Sequence, residues 1–153
     1  EIWAKDEWTS PQSFDGSVPA VGAFWAPVDP AARFKNAKSL DNQLGRRLMP
    51  NSIAYFESEE AMREASISRV VSEETTARLP RIWFAQAGND QNVPAEIVQN
   101  LEQAYRTAGG VFEITTYPGS PHGFVHAGGE ASQKFIRDLV SWLDAIFEAR
   151  SST

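Results

Sequence analysis

The sequence predicts an α/β fold built on a parallel sheet. Three observations carry this. Residues 81–87 and 111–117 are short apolar runs of strand length. Between them, residues 95–107 place Ile97, Val98, Leu101, Ala104 and Tyr105 on one helical face, closed by Gly109 and Gly110. Beyond them, residues 132–149 read as a second helix, with Phe135, Ile136, Leu139, Val140, Leu143, Ile146 and Phe147 as its buried stripe. Strand, helix, strand, helix in this order implies βαβ units and parallel strands.

The remaining elements follow in order. Residues 1–16 are polar with Trp3 and Trp8, and read as the tail of a helix followed by a loop. Residues 18–28 form a continuous apolar run ended by Pro27 and Pro30. Continuous rather than alternating hydrophobicity predicts a strand buried on both faces, with Gly22 allowing close backbone approach. Asp29 and Pro30 open a loop or short helix. Residues 35–50 read as polar and irregular, 51–56 as a short amphipathic piece, and 58–65 as a helix capped by Ser58 with acids in its first turn. The signals in 66–79 are weaker. The span 35–79 is too long for a simple loop in a compact domain. It is expected to be an excursion from the sheet, either a small helical cap near the site or a surface crossover without a part in binding. The tail 150–153 is expected to fray.

Composition narrows the function classes. The 153 residues carry a net charge of −6 and no basic cluster, which argues against nucleic-acid and anionic-membrane partners. The run 18–28 is shorter than the roughly 20 residues a membrane helix needs. No compartment is fixed: cysteine is absent, and a soluble, cytoplasmic setting is favoured. No cysteine or acid cluster accompanies the two histidines and no Gly-rich phosphate loop is present, so neither metal nor cofactor is expected. The chain opens on Glu1 rather than Met, which suggests a fragment or a processed chain.

Two loops carry the candidate chemistry. Asp90 sits just past the end of one strand, in Gly88-Asn-Asp-Gln-Asn-Val-Pro94. His122 sits just past the end of the next, in Tyr117-Pro-Gly-Ser-Pro-His-Gly-Phe124. If the strands are parallel neighbours, both side chains emerge at the sheet edge where ligands bind in open α/β folds. An Asp beside a His is the orienting half of a nucleophilic triad. Each residue also has a plainer reading. His122 could be a loop histidine in a Pro-rich turn, and Asp90 could cap the following helix. His126 competes for the base role but suits a surface or lid position better. Asp29 could bind or cap, though turn formation before Pro30 fits it better. Trp25, Trp83 and Phe84 could line an acyl pocket but suit strand packing better. Phe124, flanking His122, is a candidate for substrate contact.

The two motifs resemble α/β hydrolases of the esterase and lipase type. Gly88-Asn-Asp-Gln-Asn-Val-Pro94 is similar to that family's acid turn, and Tyr117–Phe124 to its histidine loop. Phe24-Trp-Ala-Pro-Val-Asp-Pro30 looks like the strand that follows the nucleophile helix. The resemblance covers nearly all of this chain but only the C-terminal half of the family's three-layer fold. It implies that residues 1–153 are the C-terminal portion of one hydrolase domain, with 35–79 as a cap or crossover. It implies a serine hydrolase for small carboxylic esters, with His122 as base and Asp90 as its orienting acid. One feature departs from the pattern. The family's Gly-x-Ser-x-Gly elbow is absent. Gly119-Ser-Pro-His-Gly123 lacks the strand–turn–helix setting, and Ser13 and Ser17 have no glycine pair around them. The nucleophile is therefore expected in a missing N-terminal half, and the chain alone is expected to be inactive. A peptidase, lactonase or dehalogenase, or a non-catalytic binding module on the same fold, are the alternatives.

Overall fold

The computed structural model describes residues 18–73 and 79–151. The readings for residues 1–16, and part of that for 66–79, lie outside the described residues. Three parallel strands lie in the order β1 (Ala20–Phe24), β2 (Arg81–Ala87), β3 (Phe112–Tyr117). Among the described residues of the crossover from β1 to β2 lie four helices, α1 (Pro30–Ser39), α2 (Gln43–Phe56), α3 (Glu59–Glu64) and α4 (Ile67–Glu73). A single helix, α5 (Ala95–Thr107), joins β2 to β3. After a short 3-10 turn (Phe124–Ala127), α6 (Glu130–Ser151) closes the chain.

Alternation along β2 sorts the core into two layers. Phe84 faces Val93, Ile97, Val98, Leu101, Tyr105 and Phe112, so α5 covers that side. Trp83, Ala85 and Ala87 face Tyr117, Phe124, Phe135, Trp142 and Ile146, so α6 covers the other. Sheet and two helical layers make the partial α/β-hydrolase arrangement that the sequence predicts. Trp83 and Phe84 are core residues, 3% and 0% exposed.

Four local expectations are corrected. β1 is not buried on both faces: Val21 and Gly22 are exposed, and it forms one edge of the described sheet. A Cβ at Gly22 would meet only ordinary contacts, at 3.7–3.8 Å, so glycine is not needed there for close approach. Residues 35–50 are not irregular but largely helical. Asp29 caps α1 by accepting from the Ala32 N–H at 2.9 Å, and Asn42 caps α2 through the Gly45 N–H at 3.0 Å. These helices bury narrow faces, Phe34 and Ala37 in α1, Gly45 and Leu48 in α2, so hydrophobic periodicity alone is weak. The stripe on α6 is in fact two stripes. Phe135, Leu139, Trp142 and Ile146 face the sheet. Ile136, Val140 and Leu143, about 100° round the helix, are 54%, 50% and 36% exposed. Ser58 caps α3 as expected, through the Ala61 N–H.

Candidate active site

Both candidate loops leave the same end of the sheet because β2 and β3 are parallel and finish level, Ala87 opposite Tyr117. Backbone bonds tie one loop to the other. The Gly88 N–H donates to the Tyr117 carbonyl and the Asn89 N–H to the Ser120 carbonyl, each at 2.9 Å. At Gly88 any Cβ would lie 2.9 Å from both Pro118 Cα and the Tyr117 oxygen, so only glycine lets the loops approach this closely. Gly123, at φ +71°, turns the chain directly after His122.

Asp90 and His122 meet at 2.8 Å, Oδ2 to Nδ1. The Asp90 side chain is fully buried, while that of His122 is 34% exposed. The other carboxylate oxygen, Oδ1, accepts the backbone N–H of Asn92 at 2.8 Å and of Val93 at 2.9 Å. Asp90 therefore braces its own turn; the N-cap position of α5 belongs to Pro94, and Asp90 does not cap the helix.

The donors and acceptors around the imidazole resolve one another. Arg33, on α1, donates its Nε–H to Asn92 Oδ1 at 2.7 Å. Arginine has no acceptor, so that atom of Asn92 must be the oxygen. The Asn92 amide nitrogen then faces His122 Nε2 at 3.0 Å. Because the amide nitrogen only donates, Nε2 must accept, and the proton sits on Nδ1, facing Asp90. That is the tautomer a general base requires. Burial pulls the Arg33 guanidinium below its ordinary value, the Asp90 charge opposes this, and Arg47 adds to it. A second bond from α1, Asn36 Nδ2 to the Gln91 carbonyl at 2.9 Å, fastens the same turn.

His122 opens onto a cleft of about 350 Å³. Its other walls are Asn89, Gln91, Asn92 and Pro121, with Leu44 and Arg47 of α2 opposite. The helical excursion thus contributes to the surroundings of His122. Phe124 does not line this cleft. It is 3% exposed, 4.9 Å from the Tyr117 ring, and supports the histidine loop from the core side. His126 lies in the 3-10 turn with its ring 5.8 Å from that of Trp25, and no hydrogen bond joins it to Asp90. Trp25 follows β1 at φ 41° and packs edge-on to Phe124. Ser120 is buried in the turn after β3, away from any strand–turn–helix elbow.

Sequence reasoning missed Arg33, Leu44 and Arg47, which reach the site from the distant excursion. Asn92 stood inside the acid motif but carried no role. Among the described residues no group of three or more His, Cys, Asp or Glu side chains could hold a metal ion. No helix among them is long and apolar enough to cross a membrane.

A sequence profile described as the Dienelactone hydrolase family matches residues 51–147, more than half of the chain. No curated protein matches significantly. Among solved structures, esterase B from Lactobacillus Rhamnosis (HN001) is similar at 14% identity and a TM-score of 0.63, over 86% of this chain and 42% of that one. Thermogutta terrifontis esterase 2, phosphoramylated by tabun, is similar at 20% identity and a TM-score of 0.55, over 90% and 45%. The same organism's Est2 with propionate bound gives 18% and 0.53, over 93% and 48%. The chain spans less than half the length of each of these structures.

Proposed function

The chain belongs to the dienelactone hydrolase family, and from that premise we propose that it supplies the base and the orienting acid of an esterase-type serine hydrolase. The carrying observation is the Asp90–His122 contact at 2.8 Å, with Nε2 as an acceptor beside the cleft. In this reading the nucleophilic serine lies in an N-terminal half upstream of Glu1. Its hydroxyl proton passes to His122 Nε2 as oxygen attacks the ester carbonyl. The imidazolium is stabilised by Asp90, which remains a carboxylate. The proton then goes to the departing alkoxide. Water then attacks the acyl-enzyme carbonyl while giving a proton to the same nitrogen, and that proton returns to the serine oxygen as the acid leaves. Residues 1–153 alone, without a nucleophile, leave esters unhydrolysed. The substrate is a small ester; the family's name points to lactones, cyclic esters that the same steps would open.

Fluorophosphonate labelling of the native polypeptide that carries this chain tests the reading. Labelling that disappears in His122→Ala is expected. No labelling of the native protein would leave a binding module on a hydrolase fold as the better account.

A further inference from the structure

Asn92 touches both members of the pair. Its backbone N–H is bonded to Asp90 Oδ1, and its side-chain amide stands 3.0 Å from His122 Nε2. The residue is 7% exposed, and its amide oxygen is held by Arg33 at 2.7 Å. A hydroxyl that gave its proton to His122 would need the same Nε2 lone pair that this amide occupies.

We propose that Asn92, oriented by Arg33, is a positioning residue of the His122–Asp90 pair: its amide holds Nε2 in the resting site and yields that nitrogen to the nucleophile's hydroxyl. The purpose rests on the hydrolase reading; the geometry does not. Nδ1 is anchored by Asp90 and Nε2 by Asn92, so the ring is fixed at both nitrogens and keeps one tautomer. When the hydroxyl arrives, one hydrogen bond to Nε2 is exchanged for another, and the exchange costs little because their net strengths are similar. Arg33 prevents the amide from turning over, which would bring its oxygen against the Nε2 lone pair. Arg33 and Asn92 are 59 positions apart, so the excursion between β1 and β2 reaches the base through one amide.

Diethyl pyrocarbonate acylates an imidazole nitrogen through its free lone pair, and fragment mass spectrometry separates His122 from His126. The test uses the native polypeptide that carries residues 1–153. Asn92→Leu keeps bulk and removes the donor, and should raise the His122 rate on the order of tenfold, with His126 as unchanged reference. Arg33→Met should give a smaller rise in the same direction. Asn92→Asp retains size and the backbone bond to Asp90, but places an acceptor at Nε2. It should slow His122 acylation below wild type and move its ring ¹⁵N shifts from the Nδ1–H pattern to that of a doubly protonated ring. Equal His122 rates in wild type and Asn92→Leu, or unchanged shifts in Asn92→Asp, overturn the proposal. If native labelling by fluorophosphonate is absent while these signatures hold, the hydrolase reading fails and the clamp stands; the reverse pattern overturns the clamp alone.

Discussion

Asp90 and His122 are 32 positions apart in the chain and 2.8 Å apart in space. Their meeting is a consequence of topology. Two adjacent parallel strands end level, each sends one loop off the same edge, and Gly88 lets the loops touch.

That closeness makes Gly88 a sensitive position. Alanine there would press on Pro118, the Tyr117 carbonyl and Gly119, all backbone atoms. Gly88→Ala should lower stability by about 1–3 kcal/mol, the usual range for overpacking, read by urea unfolding. In the proposed hydrolase it should also cut kcat, because the acid turn moves relative to His122. Unchanged stability and rate would mean that the two loops tolerate separation.

A second prediction concerns the support beneath the histidine loop. The Tyr117 hydroxyl donates to Asp138 Oδ2 at 2.7 Å, and Lys134 joins it at 2.6 Å. Burial pushes the Tyr117 phenol well above its ordinary value, helped by the bond to Asp138 and by its charge. For Asp138, burial works to raise the carboxyl, but the Lys134 and Tyr117 bonds and the Lys134 and Arg137 charges prevail and hold it below the usual carboxylate range. A depressed carboxylate contributes stability above its unfolded pKa, near 3.9, and loses it as pH falls through the lower folded value. Asp138→Asn should therefore cost about 1 kcal/mol at pH 7, with the gap to wild type closing below about pH 4. A gap independent of pH would remove the ionic part of this account.

The sequence made β2, α5, β3 and α6 legible because each has a strong period and clear punctuation. Asp90 and His122 were legible because they sit in short motifs at strand ends. Within the excursion only α3 was, through its Ser58 cap and first-turn acids; α1 and α2 were not. Phe34 and Ala37 give α1 too narrow an apolar face to stand out, although the Asp29-Pro30 start signal was present. Arg33 and Arg47 carry no local mark of their place near His122, since only the folding back of α1 and α2 brings them there. The exposure of Ile136, Val140 and Leu143 was equally hidden, because an apolar residue looks the same whether its partner lies inside this chain or outside it.

Those exposed residues lead to a third prediction. β1 is an edge of the described sheet with Val18 and Val21 exposed, and α6 adds Ile136, Val140 and Leu143. An open apolar edge invites pairing. Purified residues 1–153 should associate at micromolar concentration in sedimentation velocity. Val21→Lys with Val140→Lys should shift the population toward monomer. A monodisperse wild-type monomer would contradict both the open edge and the proposed need for an N-terminal half.

The last prediction separates the two histidines in the proposed hydrolase. Only His122 is joined to Asp90, while His126 lies against Trp25. His122→Ala removes the proposed base, so kcat on a small chromogenic ester should fall on the order of 10⁴-fold, with little change in KM. Asp90→Asn keeps the shape but offers an amide where the carboxylate accepted the Nδ1 proton, and should bring a loss of the same type. The double variant should cost little more than His122→Ala, because the pair acts as one unit. His126→Ala should stay near wild type. Steady-state kinetics on the four variants checks all of this. A crippling His126→Ala beside a near-normal His122→Ala would move the base role to the other histidine. Losses at Asp90 and His122 that simply multiply would mean that the 2.8 Å contact is structural and not part of the chemistry.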